Sequence, residues 1–335
     1  MAIGRKFREN LLPMTSVRYR QKLDPDDPVG DPLGPPMLWP DGRHVAANGR
    51  GRIFLWDLAT GECSQVLKST AICRDGEPTF RLASEPVLGR VLEAHKIREF
   101  ALWDSTDWRC VQTFRGHGEP VQTAAFVNDE RILSISSDST AKLWDAWTGE
   151  QLRTLDTLPL YALSEFQAGG LVAVGGGQGS VIVLDGPTLD VRASFHLPMA
   201  SARHEPLSDE RKRQVGSTWN GARNHIQALA WHPDGEHLLC GSWDFVARMF
   251  HRDTGRVVRE WHGHAHWVCA VAVEPSRGLL CTGSSDGTVR VWSLHSPECL
   301  AVHDVGHADI EGLLLHDGAI YVTCRSELVV IPLPA

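Results

Sequence analysis

The chain has 335 residues, of which 42% are hydrophobic and 22% charged, an ordinary globular composition. Its formal net charge is -8 and no long basic stripe interrupts it, which argues against a nucleic-acid partner. No apolar run is long enough to span a bilayer, and the first twenty residues carry Arg5, Lys6, Arg8, Arg18 and Arg20 but no apolar signal-peptide core. A cytoplasmic protein with no membrane partner is expected. Arginine far outnumbers lysine, which points to a GC-rich bacterial source.

Val17, Tyr19, Gln21 and Leu23 alternate with Arg18, Arg20 and Lys22, so Ser16–Leu23 reads as a strand. An acidic, proline-rich connector follows, from Asp24-Pro25-Asp26-Asp27-Pro28 to Pro36, and a solvated loop is expected there.

A repeated phrase then begins. Trp56-Asp57, Trp103-Asp104 and Trp144-Asp145 each close a short apolar run. Weaker copies follow at Leu184-Asp185, Phe250-His251, Trp292-Ser293 and Ile331-Pro332. The steps between these positions are 47, 41, 40, 66, 42 and 39 residues. A period near forty with a closing Trp-Asp marks a propeller array.

The unit from Gly116 to Leu155 is the best formed. Val121–Phe126, Arg131–Ser136, Ala141–Trp144 and Gln151–Leu155 read as strands a to d, separated by Asn128-Asp129, Ser137-Asp138-Ser139 and Thr148-Gly149. Four antiparallel strands in about forty residues make one blade. The turns recur in register: Thr-Gly at Thr60-Gly61, Thr148-Gly149 and Thr254-Gly255, and Pro-Asp-Gly at Pro40–Gly42 and Pro233–Gly235.

Eight cysteines invite disulfides, but Cys63, Cys110 and Cys299 each lie seven residues after a Trp, at one repeat position in different blades. Cys240 and Cys281 fall near another common position. The architecture holds such sites apart, and buried thiols are expected.

These residues resemble the WD40 family over nearly the whole chain. The resemblance implies an all-β, seven-bladed propeller of four-stranded antiparallel blades, here one unit spanning 1–335. The chain runs only to Ala335, just after Glu327–Leu333 as strand c, so the N-terminal strand 16–23 is expected to close blade 7. In the family a His, a Ser or Thr, an Asp and a Trp form a structural relay within a blade. The full set stands here twice: His117, Ser134, Asp138, Trp144 and His264, Thr282, Asp286, Trp292. Blade 7 keeps Gly306-His307 without the Asp and Trp. Blade 4, around Leu171–Asp185, is the most degenerate, with Gly175-Gly176-Gly177 placed in its b–c turn. No catalytic triad is expected from the relay.

In the family the d–a connectors and b–c turns share the top rim, where the departures from the repeat point. The step of 66 residues holds an insertion at 196–223, with Trp219, Arg211 and Arg213, that could clamp a partner. Trp243 stands where blades 3 and 6 have Ser137 and Ser285, and Trp267 and His225 are matching positions of adjacent blades. Exposed aromatic residues there read as partner anchors. The competing reading packs the insertion over them as a private core.

His262, His264 and His266 alternate, as three zinc ligands on one strand face would, but His264 belongs to the relay and no metal-binding motif supports the idea. No cofactor, metal or catalytic residue is expected. The predicted function is a non-enzymatic scaffold binding a protein or peptide on the top face. A structural or regulatory subunit of a multi-protein complex is the second reading. A small-ligand or enzymatic propeller using the axial pocket is the third.

Overall fold

The computed structural model describes residues 17–20, 33–49, 51–68, 79–85, 88–95, 98–157, 159–164, 170–198, 224–306 and 310–334. The expected insertion lies outside the described residues from 199 to 223, and with it Trp219, Arg211 and Arg213. His307, residues 21–32 and both ends of the 16–23 strand also lie outside them.

Seven four-stranded antiparallel sheets form the molecule, and six of them are consecutive in the chain. They span residues 37–68, 79–115, 121–156, 160–196, 226–261 and 268–304, taken as blades 1 to 6. Blade 7 combines Ile310–His316, Ala319–Cys324 and Glu327–Pro332 with the N-terminal strand Val17–Arg20. Val17 pairs with Val330 and Arg20 with Glu327, so the first strand seals the edge of the last sheet. The ring is a seven-bladed β-propeller.

The blades form where the apolar alternation and turn residues place them. Strand b of blade 3 runs Arg131–Ser136, and strand c runs Thr140–Asp145. The Trp-Asp phrase divides its labour. The Trp is buried between sheets, as Trp56, Trp144 and Trp292 are. The Asp caps the following turn: Asp145 Oδ1 accepts the amides of Trp147 at 2.9 Å and Thr148 at 2.8 Å. Gly149 then takes φ +72°, a left-handed conformation that explains the Thr-Gly signature.

Hydrophobic clusters occupy the seams between sheets. Leu92, Phe100 and Phe114 of blade 2 pack with Val121, Ile132 and Trp144 of blade 3. The same arrangement bridges blade 7 to blade 1, where Tyr321 and Leu328 meet Val45, Phe54 and Trp56. Leu33 donates its amide to the Arg325 carbonyl at 2.6 Å and adds a second tie across that closure.

Two details differ from the sequence reading. Gly175 and Gly176 belong to strand b of blade 4, Leu171–Gly176, and only Gly177 opens the turn. Close approach explains them: a Cβ on Gly175 would sit 2.6 Å from Ile226 of the next blade, and one on Gly176 2.3 Å from the Pro159 carbonyl. Cys240 and Cys281 are one register step apart, since Cys240 opposes Arg248 whereas it is Thr282 that opposes Arg290. Cys63, Cys110 and Cys299 do share a position, each opposite the Trp of its own blade.

Removal of residues 1–20 is expected to lower the melting temperature and promote self-association, because it bares the backbone of Glu327–Pro332. Thermal unfolding together with size-exclusion chromatography checks this.

Candidate interaction face

The top rim is built from one repeated backbone contact. The first residue of the b–c turn donates to a carbonyl of the incoming d–a connector: Ser137 to Pro120 at 3.1 Å, Gly177 to Pro159 at 3.1 Å, Trp243 to His225 at 3.0 Å and Ser285 to Trp267 at 3.0 Å. Turn and connector are thereby held side by side, and both present side chains on one face.

Beneath that contact lies the relay. In blade 3, His117 Nδ1 lies 2.9 Å from Asp138, its Nε2 lies 2.8 Å from the Ser134 hydroxyl, and Trp144 Nε1 donates to the same hydroxyl at 2.8 Å. Blade 6 repeats it through His264, Asp286, Thr282 and Trp292, at 3.0, 2.7 and 2.8 Å. The connectivity is that of a Ser-His-Asp triad. Ser134 and Thr282 are fully buried, however, and their hydroxyl oxygens are already occupied by indole N–H groups. The set braces the blade instead of attacking a substrate.

Burial pushes the His117 pKa below its ordinary 6.5 despite the pull of Asp138, and burial does the same at His264 despite Asp286. Burial would raise the Asp138 carboxyl, but the Thr140 hydroxyl, the Gly118 amide and His117 bring it down to about 2. Asp286 is lowered in the same way. A depressed histidine pKa means that the unfolded chain binds more protons just below 6.5, and a depressed aspartate pKa means that it does so just below 3.8. Both contributions to stability are present at neutral pH and are lost as pH falls.

Blade 5 lacks this relay, because Cys240 stands in the hydroxyl slot and Phe250 in the Trp slot. Its turn carboxylate, Asp244, is held by Arg248 in a bidentate pair. Arg248 is fully buried, and its Nε donates to Glu260 at 2.9 Å. Glu260 in turn meets His262 at 3.0 Å. Burial would lower the guanidinium pKa, but Asp244 holds it above the ordinary value. Sequence reasoning missed this ionic substitute. Its signal was a basic residue at one strand c position in three blades, Lys142, Arg248 and Arg290, beside a blade that lacks the hydroxyl and Trp.

Above these braces runs a row of aromatic rings. His225 lies 4.5 Å from Trp243, Trp243 stacks on Trp267 at 4.4 Å and 14°, Trp267 lies 4.7 Å from His266, and His266 stacks on Phe245 at 5.5 Å and 19°. The structure thus brings Trp243, Trp267 and His225 together. The two tryptophans are half-buried rather than exposed, because they cover one another across the seam of blades 5 and 6. Trp243 Nε1 donates to Gln227 at 3.1 Å.

His266 and Phe245 were not anticipated. Phe245 has φ +72°, where the matching turn residue in blade 6 is Gly287 at +79°. A bulky side chain in the left-handed region is strained, and such strain concentrates at functional positions. The alternating histidines do not converge: His262 meets Glu260, His264 sits in the relay and His266 joins the ring row.

This architecture defines a WD-type β-propeller. A family model described as "WD domain, G-beta repeat" matches residues 108–145, 213–251 and 255–293. Three WD40 repeats are thus recognised within the chain. It is 25% identical over 177 residues to a serine-threonine kinase receptor-associated protein of Gallus gallus, covering 53% of this chain and 43% of that one. It is 25% identical over 213 residues to WD repeat-containing protein 37 of Homo sapiens, covering 62% of this chain and 38% of that one. The match thus spans less than half the length of these vertebrate relatives.

Ser134→Ala is expected to cost about 1–3 kcal/mol, since it strands the buried Trp144 indole and His117. Asp244→Ala should cost about 3–5 kcal/mol by leaving Arg248 buried without its carboxylate, and Asp244→Ala with Arg248→Met should recover much of that loss. Urea unfolding measures both. Melting temperature should fall as pH drops below 6.5, with a shallower fall in a His117→Asn, His264→Asn variant.

Proposed function

We propose that this propeller is a non-enzymatic scaffold that binds a protein or peptide on its top rim, at the seam of blades 5 and 6. The observation that carries the reading is the row of rings His225, Trp243, Trp267, His266 and Phe245. Trp and Tyr dominate binding energy at protein interfaces because they offer large, rigid, partly polar area. Five rings are not required to hold two blades together, since the neighbouring seam of blades 6 and 7 is filled by aliphatic side chains such as Val289, Ile310 and Val322.

The braces beneath the row support the same reading. Asp244 and Arg248 lock the turn that carries Trp243 and the buried Phe245, so the half-buried Trp243 is held in place without an ordering cost on binding. Among the described residues, the relay hydroxyls are sealed from solvent, which disfavours acyl-transfer chemistry at those positions. One relative is named for association with a kinase receptor, a role that agrees with the scaffold class. In this reading Trp219, Arg211 and Arg213 of the 196–223 insertion, adjacent in sequence to His225, clamp the bound partner.

Trp243→Ala is expected to cost about 0.5–1.5 kcal/mol of ring contact while abolishing capture of a co-purifying partner. Affinity purification of both forms from the native host, with mass spectrometry and a melting curve on each, makes the comparison. Unfolding of the variant, or unchanged capture, would count against the reading.

A further inference from the structure

The hairpin joining strands a and b has one frame in blades 1 and 5: Trp39-Pro40-Asp41-Gly42-Arg43-His44 and His232-Pro233-Asp234-Gly235-Glu236-His237. In blade 1, Asp41 Oδ1 accepts the amides of Arg43 and His44 at 2.8 and 3.2 Å. In blade 5, Asp234 Oδ1 accepts those of Glu236 and His237 at 2.8 and 3.0 Å. In both, the second carboxylate oxygen meets Nδ1 of the histidine three residues on, at 2.7 Å. The turn is therefore complete with one Asp and one His, as blade 1 demonstrates.

Blade 5 adds two imidazoles that the turn does not require. His232 stands where blade 1 has Trp39, and His251 stands where blade 1 has Asp57. His232 Nδ1 lies 2.9 Å from the same Asp234 Oδ2 that His237 engages. The Asp234 amide also approaches His232 Nδ1 at 3.3 Å, so both imidazoles crowd one carboxylate oxygen of the turn. His251 stands edge-on to His237, with ring centroids 5.6 Å apart. Among the described residues, His232, Asp234 and His237 are the group of three whose ligand atoms all lie within 4.8 Å of one another.

We propose that His232, Asp234 and His237 form a binding site for a zinc-type divalent metal ion on the rim opposite the aromatic row, with His251 as the adjacent third imidazole. Two imidazoles and a carboxylate suit a borderline cation such as zinc, and bonds of about 2.0–2.2 Å need only a small opening of the present spacing. Asp234 Oδ1 stays with the turn amides and orients the other oxygen toward the ion. The three side chains retain 18%, 37% and 22% of their exposure, which leaves room for a water or for a ligand from a partner. The proposal departs from the sequence expectation of no metal. That expectation weighed the alternating His262, His264 and His266, whereas these ligands come from a hairpin that looks structural in one dimension.

The test is zinc titration by calorimetry on tag-free protein at pH 7, with cobalt(II) absorption as a report on the ligand set. One ion per chain is expected. His232→Trp should weaken binding by about tenfold or more and alter the cobalt spectrum. That variant keeps the fold, because blade 1 already carries Trp39 in the same turn. His44→Ala, in the single-histidine copy, should bind as wild type does. Absence of zinc binding would overturn the proposal. Equal binding by wild type and His232→Trp would overturn it as well, by placing the ion elsewhere.

Discussion

A carboxylate in the turn between strands b and c, partly buried at Asp138 and buried at Asp286, governs the upper half of each well-formed blade. Asp138 and Asp286 accept from a histidine, a backbone amide and a hydroxyl at once. Through these bonds the turn between strands b and c is tied to the connector arriving from the previous blade. Such a carboxylate is costly to bury and stable only when every lone pair is met. It therefore dictates what surrounds it, and the rim side chains inherit fixed positions.

Blade 5 shows that the constraint is electrostatic rather than tied to one residue set. With Cys240 and Phe250 in place of the hydroxyl and Trp, the carboxylate of Asp244 takes a guanidinium instead of an imidazole. A carboxylate paired with an imidazole gives way to a carboxylate–guanidinium ion pair that extends to Glu260 and His262. The substitution coincides with the part of the rim where Trp243 and Phe245 replace the small turn residues of blades 3, 4 and 6. A strained, ring-bearing turn requires a stronger brace beneath it, and the bidentate pair supplies one.

The two halves of the repeated phrase act at opposite ends of the blade. The tryptophan indole reports to the relay below the top rim, and the aspartate caps the turn on the lower rim. Where His251 replaces that aspartate, its Nδ1 still accepts an amide, from Asp253 at 3.2 Å, so the turn survives while an imidazole is added to the lower rim. Departures from the phrase are therefore tolerated locally, and they change what each rim displays.

Much of the fold was legible because its signals are local. Alternation, turn residues and a forty-residue period depend on neighbours in the chain, and the strand Arg131–Ser136 emerges from them with its bounds intact. The ring closure by Val17–Arg20 was also legible, since one strand was missing at the other end of the count. Gly175 and Gly176 were misplaced because their reason is contact with Ile226 and Pro159, invisible in the local pattern. By itself, then, the sequence determined the blade number, the register of the turns and the membership of the two relays. Only the tertiary structure decided which side chains meet between elements: Trp243 on Trp267, Arg248 on Asp244, and His232 beside His237 on one carboxylate oxygen. Backbone hydrogen bonding sets the first kind of order, residue by residue. The second kind depends on how the strands pair and how the ring closes, which carry side chains together at distances that no repeat spacing encodes.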